Sequence, residues 1–321
     1  MQRRTLLRVA VAGGALPLAA AAASFRDVLD TPASPSPLAA RSLLTGLAHA
    51  GSRIVAVGQR GHVLFSDDAS KSWSQAGVPV SSDLVAVHFA TAERGWAVGH
   101  DGVILASNDA GKTWTRQLDG RQLGPQGTES PLLDVWFDDA NHGHAVGAFG
   151  LLLRTADGGT SWQPLQQLAD NPKSLHLYAV RRVGGELYIA GEQGTLLKWD
   201  GSRFVALASP YAGTLFGLIG NDRAVLAHGL RGNVVRSTDG GRSWASVTTG
   251  VGVGLTASTV DGRGRLLIAS QAGHVMASHD DGASFVPLKI ERPAPVAAIV
   301  GTAAGTLVLA GPRGVQALPL A

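Results

Sequence analysis

The chain repeats itself, and that constrains its fold more than any other feature. The stretch SNDAGKTW at 107–114 returns as SDDASKSW at 66–73, TADGGTSW at 155–162, STDGGRSW at 237–244 and SHDDGASF at 278–285. Each copy follows a longer unit: AVGQRGHVLF at 56–65, AVGHDGVILA at 97–106, AVGAFGLLLR at 145–154, AHGLRGNVVR at 227–236 and IASQAGHVMA at 268–277. Degenerate copies stand at 189–199 (IAGEQGTLLKW) and 309–320 (LAGPRGVQALPL). The second glycines, Gly61, Gly102, Gly150, Gly194, Gly232, Gly273 and Gly314, are spaced by 41, 48, 44, 38, 41 and 41 residues. A period near 41 is the length of one four-stranded propeller blade. The units alternate short β-type runs with glycine turns and lack the helical period of a solenoid. Seven copies predict an all-β, seven-bladed β-propeller over residues 42–321.

One unit can be divided in full: strand A at Leu84–Phe89, strand B at Gly95–Gly99, strand C at 103–107 and strand D at 113–117. The B–C turn, GHDG, is expected to use its glycines for positive φ. The last copy stops after its third strand and leaves an edge open to aggregation. Residues 25–29, or their neighbours, are expected to pair there and close the ring. The 42 glycines follow no G-X-Y period, which fits many tight turns and excludes collagen.

The eight-residue box lies between strands C and D. Its carboxylates, Asp68, Asp109, Asp157, Asp239 and Asp280, can accept hydrogen bonds from the backbone of the turn. Gly111, Gly159, Gly241 and Gly282 supply positive φ, and Ser70 departs from the pattern. Trp73, Trp114, Trp162 and Trp244, with Phe285 as the one substitute, are expected to fill the gaps between blades. Five copies spread around one ring cannot each be an active site, so the boxes read as structural. Each also offers too few convergent oxygens for calcium.

The boxes resemble Asp-box (BNR) repeats. The longer unit, AVG-x-x-G followed by the box, resembles the photosystem II stability and assembly factor family across about residues 42–321. The boxes at 66–73 (Ser70 for Gly), 198–201 (KWDG) and 278–285 depart from that pattern. The resemblance implies a seven-bladed propeller of the thylakoid lumen or bacterial periplasm that binds a membrane protein or complex during assembly, with photosystem II as the named partner. It implies no catalytic residue and no cofactor.

The N-terminus agrees with an exported protein. Residues 1–23, MQRRTLLRVAVAGGALPLAAAAA, have a basic start, a short apolar run and small residues at a cleavage position. Arg3 and Arg4 resemble a twin-arginine address. Residues 24–41 contain TPASPSP and read as a linker and candidate closing strand. Removing Arg3, Arg4 and Arg8 leaves as many Lys and Arg as the 24 Asp and Glu, so bulk charge gives no reason to expect nucleic acid. With no cysteine, disulfides, thiolate metal sites and a Cys nucleophile are excluded. A monomer is expected.

Chain direction places B–C and D–A loops on one face and A–B loops with the boxes on the other. The longest repeat steps come from D–A insertions at 119–131 and 164–175, which marks the B–C face for binding. Its candidate partner-binding residues are Arg60, His100, Asp101, Phe149, Glu192, Arg231 and Arg313. Arg60 and Arg313 belong to neighbouring blades once the ring closes, and Arg231 lies two blades from Arg313. Together they could clamp carboxylates of a partner. His142 and His144, near Asp138 and Asp139, read as a simple turn in preference to a metal site. Arg181-Arg182 reads as a solvated turn.

Two other functions remain open. A sialidase-type glycoside hydrolase needs an arginine cluster, a Tyr nucleophile with a Glu partner and an acid/base Asp. Among only three tyrosines (Tyr178, Tyr188 and Tyr211), Tyr211 falls in a loop adjoining the turn of Glu192. The Phe/Tyr-Arg-Ile-Pro segment typical of that family is missing near the start. The third reading is a lectin-like or small-molecule site in a central pore, with His88 and His176 lining it from the inner strands.

Overall fold

The computed structural model describes residues 26–302 and 305–319. The expected export signal and Phe25 lie outside the described residues. Seven antiparallel sheets follow one another along the chain, six ordered A-B-C-D and the seventh A-B-C from the axis outwards. The inner strands are Leu44–Ala50, Leu84–Phe89, Leu132–Phe137, Leu177–Val183, Leu215–Gly220, Leu255–Val260 and Ala298–Gly301. Each packs against the inner strand of the next blade, and Leu44–Ala50 packs against Ala298–Gly301 to complete the circle. Blade 2 uses Leu84–Phe89, Gly95–Gly99, Ile104–Ser107 and Thr115–Leu118, within two residues of the division read from the repeat.

The burial pattern explains why period-two alternation is faint in the sequence. All five residues of Gly95–Gly99 are buried, as are all five of Gly143–Gly147 and Val225–Gly229. A strand B has a neighbouring blade on both faces, so it reads as a continuous run of small and apolar residues. The box aromatics wedge between their own blade and the preceding one. Trp114 of blade 2 packs with Val55, Val57 and Phe89, and Trp162 meets Phe137 edge-on at 5.7 Å. Trp244 meets Tyr188 at 6.5 Å. Trp73 packs with Ile54 of blade 1 and with Val300 and Val308 of blade 7, so the same wedge closes the ring.

Among the described residues the expected closing strand is not formed. Blade 7 has three strands, Ala298–Gly301, Thr306–Gly311 and Gly314–Pro319. The N-terminal segment instead runs as a strap over the B–C face. At one end, Leu29 is buried among Val78, Val80, Val103 and Leu105, and Asp30 takes a two-pronged ion pair from Arg121 at 2.9 and 3.1 Å. In the middle, Ala33 N–H donates to Val78 O at 3.0 Å, and Gln75 Nε2 donates to Ser34 O at 3.0 Å. At the other end, a 3-10 turn at Ala39–Arg41 packs on Gly314–Pro319. Gly314 lies against Ala40 O as Gly61, Gly194 and Gly232 lie against Val80 O, Tyr211 O and Val251 O of their own D–A connections. The strap thus supplies the missing connection between blades 7 and 1. The physical reason is composition: Pro32, Pro35 and Pro37 lack the N–H groups that a ladder needs.

Candidate binding face and central channel

The two ends of strand B–strand C hairpins set the geography. On the box face, the five corners share one hydrogen-bond pattern. Asp109 Oδ1 accepts from Ser107 Oγ (2.9 Å) and Thr113 N–H (2.9 Å), and its Oδ2 accepts from Thr113 Oγ1 (2.6 Å). Gly111 N–H donates to Ser107 Oγ at 2.9 Å, and Trp114 Nε1 donates to Gly111 O at 3.0 Å. The carboxylate and hydroxyl bonds recur at Asp68, Asp157, Asp239 and Asp280, whereas the indole bond recurs at Trp244, and Trp73 Nε1 donates to Ser70 Oγ instead. Hydroxyl and amide donors, led by the hydroxyls of Ser72, Ser161 and Ser284, hold the carboxyls of Asp68, Asp157 and Asp280 down to about 2. Each corner has two consecutive left-handed residues, including the non-glycines Ala69 and Ser70 (φ 57° and 74°). These carboxylates are used within their own turns.

On the opposite face, the B–C turns meet the expected geometry at the second glycine and depart from it at the first. Gly99 is extended (φ −172°); glycine is required there because a Cβ would run into Asp83 O. The left-handed residues are Asp101 and Gly102. Arg60, Phe149, Gln193 and Arg231 take the position of Asp101 in their own turns, with φ of 52° to 57°. A non-glycine residue in this region is uncommon, and a bulky one is a real outlier. Each turn is tied to the start of its inner strand, as when His100 N–H donates to Asp83 O at 2.8 Å. The corner side chain is thereby aimed outward from rigid backbone.

Arg60, His100, Phe149, Arg231 and Arg313 are exposed, and Asp101 and Glu192 half-buried. Among the described residues, Arg60, Arg231 and Arg313 have no carboxylate within ion-pair distance. Arg313 departs from the others: it sits in a two-residue hairpin turn in which only Gly314 is left-handed. Phe149 is 60% exposed. It begins an aromatic arc that passes to His176 (4.9 Å), Tyr178 (6.3 Å) and Phe216 (5.4 Å) across blades 3 to 5. Gln193, not Glu192, takes the outward corner of blade 4; the Glu192 carboxylate turns back to accept from His176 N–H at 2.9 Å.

The long D–A loop at 119–131 has a structural share in this face. Its buried Asp119 accepts from Arg121 N–H, Nε and Nη2 at 2.8 to 3.1 Å, and Arg121 carries the strap through Asp30. The loop therefore anchors residues 26–41 as well as enlarging the rim.

At the centre of the same face opens a channel of about 550 Å³ that receives side chains from all seven inner strands. Its residues were largely missed by sequence reasoning. His88 and His176 do not line it. His88 lies against Trp136 at 4.3 Å, and burial depresses its imidazole to about 4. Arg181 does line it, and the solvated-turn reading is corrected: Arg181 and Arg182 lie on the inner strand Leu177–Val183. Arg181 Nη1 bonds the Asp134 carboxylate and donates to Val180 O at 2.7 Å, and Arg182 pairs with Asp138 at 2.6 Å. Burial pushes the Asp134 carboxyl up, opposed by Arg181 and by Val180 N–H. His228 is buried, its Nδ1 3.1 Å from Leu255 O and its Nε2 2.9 Å from Ser258 Oγ. Nδ1 must carry the proton to donate to a carbonyl, so the Ser258 hydroxyl donates to Nε2. The one available signal for the Asp134–Arg181 pair was a charge on each of two runs otherwise fit for inner strands.

The glycosidase pair is not assembled. Tyr211 Oη donates to Leu230 O at 2.9 Å, whereas the Glu192 carboxylate turns to His176 N–H. His142 Nδ1 lies 2.9 Å from Asp139 in an exposed loop, while His144 is buried within Gly143–Gly147. Among the described residues, no three His, Cys, Asp or Glu converge on a point fit for a metal ion.

No curated protein matches the chain in sequence. Among solved structures, YCF48 bound to D1 peptide is similar at 16% identity and a TM-score of 0.69, covering 88% of this chain and 94% of that one. YCF48 from Cyanidioschyzon merolae is similar at 20% identity and a TM-score of 0.67, covering 88% and 96%. The WD40 β-propeller domain of Doa1 reaches a TM-score of 0.68 at 12% identity, covering 90% and 95%, so the architecture extends beyond one family. The model of the family described as photosynthesis system II assembly factor YCF48 matches residues 65–124 and 125–291. With the repeat, the boxes and the seven-bladed ring in agreement over that span, the chain belongs to the photosystem II assembly factor YCF48 family.

Proposed function

We propose that this chain is an exported, non-catalytic scaffold that holds a membrane protein or membrane complex during its assembly, and that it does so as a monomer through the B–C face. The observation that carries this reading is the set of five rigid B–C corners whose outward residues, Arg60, Asp101, Phe149, Gln193 and Arg231, all stand in the left-handed region. Backbone strain of this kind, about 1–3 kcal/mol per residue, persists where the surrounding structure over-determines it and clusters at binding sites. Arg60, Arg231 and Arg313 give the rim unpaired guanidinium groups for partner carboxylates, and Phe149 adds an apolar anchor. Family membership supports an assembly role, and the D1 peptide held by a structural neighbour supports a protein segment as ligand. In a photosynthetic cell the partner is a photosystem II subunit; elsewhere it is another membrane complex. The signal-like residues 1–23 support delivery to the periplasm or thylakoid lumen by the twin-arginine route.

Affinity capture from solubilised membranes tests the rim. Wild-type chain retains a defined set of membrane proteins, and the triple variant Arg60→Glu, Arg231→Glu, Arg313→Glu loses it. The same proteins on both would remove the rim from the mechanism. Turnover of a fluorogenic sialoside that is abolished by Tyr211→Phe would replace the scaffold by a hydrolase.

A further inference from the structure

The central channel carries features that a scaffold rim does not use. Six inner strands begin with a leucine and break register directly after it: Leu44/Gly46, Leu84/Ala86, Leu177/Ala179, Leu215/Gly217 and Leu255/Ala257 show the bulge on the inner strand, and blade 3 shows it opposite Leu132. A bulge re-aims the extra side chain. The six residues so placed, Thr45, Val85, Leu133, Tyr178, Phe216 and Thr256, all line the channel. Two of them are aromatic, and they are neighbours: Tyr178 and Phe216 meet edge-to-face at 5.4 Å.

The next position inward is small in five blades: Gly46, Ala86, Ala179, Gly217 and Ala257. The exception is Asp134, 4% exposed, which accepts from Val180 N–H at 2.9 Å and from Arg181 Nη1. That pair holds the Arg181 guanidinium at the wall, 5.7 Å from the Trp136 ring. The recorded bonds of Arg181 to Asp134 and Val180 use Nη1 alone. The Nε–Nη2 edge, the fork that matches a carboxylate, has no protein acceptor among the described residues. A cavity of about 550 Å³ with apolar walls and a few fixed polar groups has the size and character of a small-molecule site.

We infer that the channel binds a small planar aromatic monocarboxylate, its rings against Tyr178 and Phe216 at the mouth and its carboxylate on the free edge of Arg181. Tyr178 and Arg181 are three residues apart on one strand, roughly 10 Å at about 3.3 Å per residue. A two-ring acid spans that distance and a one-ring acid does not. The site is separate from the rim arginines, so this inference stands or falls apart from the scaffold reading.

Titration calorimetry with 2-naphthoate, biphenyl-4-carboxylate and benzoate tests it. The two-ring acids bind one per chain, at least tenfold more tightly than benzoate. Arg181→Gln weakens 2-naphthoate at least tenfold and leaves 2-naphthamide unchanged, whereas Phe216→Ala weakens both. Because Arg181→Gln leaves Asp134 buried without its cation, the double variant Asp134→Asn, Arg181→Gln repeats the measurement with both charges removed. The rim triple variant binds 2-naphthoate like wild type. No binding of either two-ring acid at roughly 1 mM, a threshold of about 4 kcal/mol, overturns the assignment. So does equal affinity in wild type and in both Arg181 variants, or loss of binding in the rim variant.

Discussion

On the box face, five corners of nearly one sequence bind their polar groups to one another. On the opposite face, five corners of one backbone shape carry Arg, Asp, Phe, Gln and Arg. The repeat is the same, but the internal demand differs. A box carboxylate has three donors within its own turn, so a change at the Asp, the hydroxyl residue or the aromatic disturbs the wedge between blades. A B–C corner is held by backbone contacts, the Gly–carbonyl packing and the N–H tie to the preceding inner strand, so its outward side chain is free to vary. Uniformity therefore marks the load on the fold, and variation on unchanged geometry marks the face available to partners.

The largest expected effects test whether the box face and the strap carry stability. Trp114→Ala removes a ring that is 4% exposed and should cost about 3–5 kcal/mol. Leu29→Ala, at the anchored end of the strap, should cost about 2–5 kcal/mol. Denaturant unfolding measures both, and an unchanged midpoint for Leu29→Ala would show that the strap is dispensable for closure.

A second test separates the contributions by pH. Burial depresses His88, His144 and His228 to about 4, below the usual ~6.5. The unfolded chain binds more protons between these values, so stability falls as pH drops from about 6.5 towards about 4. The box carboxylates at about 2 lie below the usual ~3.9 for Asp. Their contribution is complete above about 4 and is lost as pH falls through about 2. Melting temperature against pH should show both declines; Asp157→Asn should flatten the lower one, and His228→Gln the upper one.

Smaller effects sharpen the contrast. Phe149→Gly relieves a left-handed phenylalanine and should stabilise by about 0.5–1 kcal/mol while weakening membrane-protein capture. Stability gained with capture intact would place the anchor elsewhere. Ser70→Gly restores the box residue at φ 74° and should also stabilise by about 0.5 kcal/mol. It should leave capture untouched, since Ser70 lies on the other face. Its single recorded side-chain contact, from Trp73 Nε1 at 3.2 Å, can pass to the backbone carbonyl as it does at Gly111.

Much of the fold was legible because it is local. The spacing of the second glycines counted the blades, and the boxes announced their own hydrogen bonds because every partner lies within four residues of the Asp. The rim residues were located as positions but not as conformations: nothing in GHDG distinguishes an extended Gly99 from a left-handed Asp101, because the reason is a carbonyl sixteen residues away from Gly99. Glu192 illustrates the same limit, since its carboxylate turns to a backbone N–H of the preceding connection.

The sequence by itself determined the number of blades, the strand order within each and the inward bracing of the Asp corners, since a 41-residue period and an eight-residue turn are short-range facts. Tertiary structure alone decided the rest. It laid the N-terminal segment over the rim as a strap where a fourth strand was expected, brought Asp134 of blade 3 to Arg181 of blade 4, and turned six bulged side chains towards one axis. Those contacts join residues that only the closed circle makes neighbours, and their energy depends on burial that no single repeat can supply.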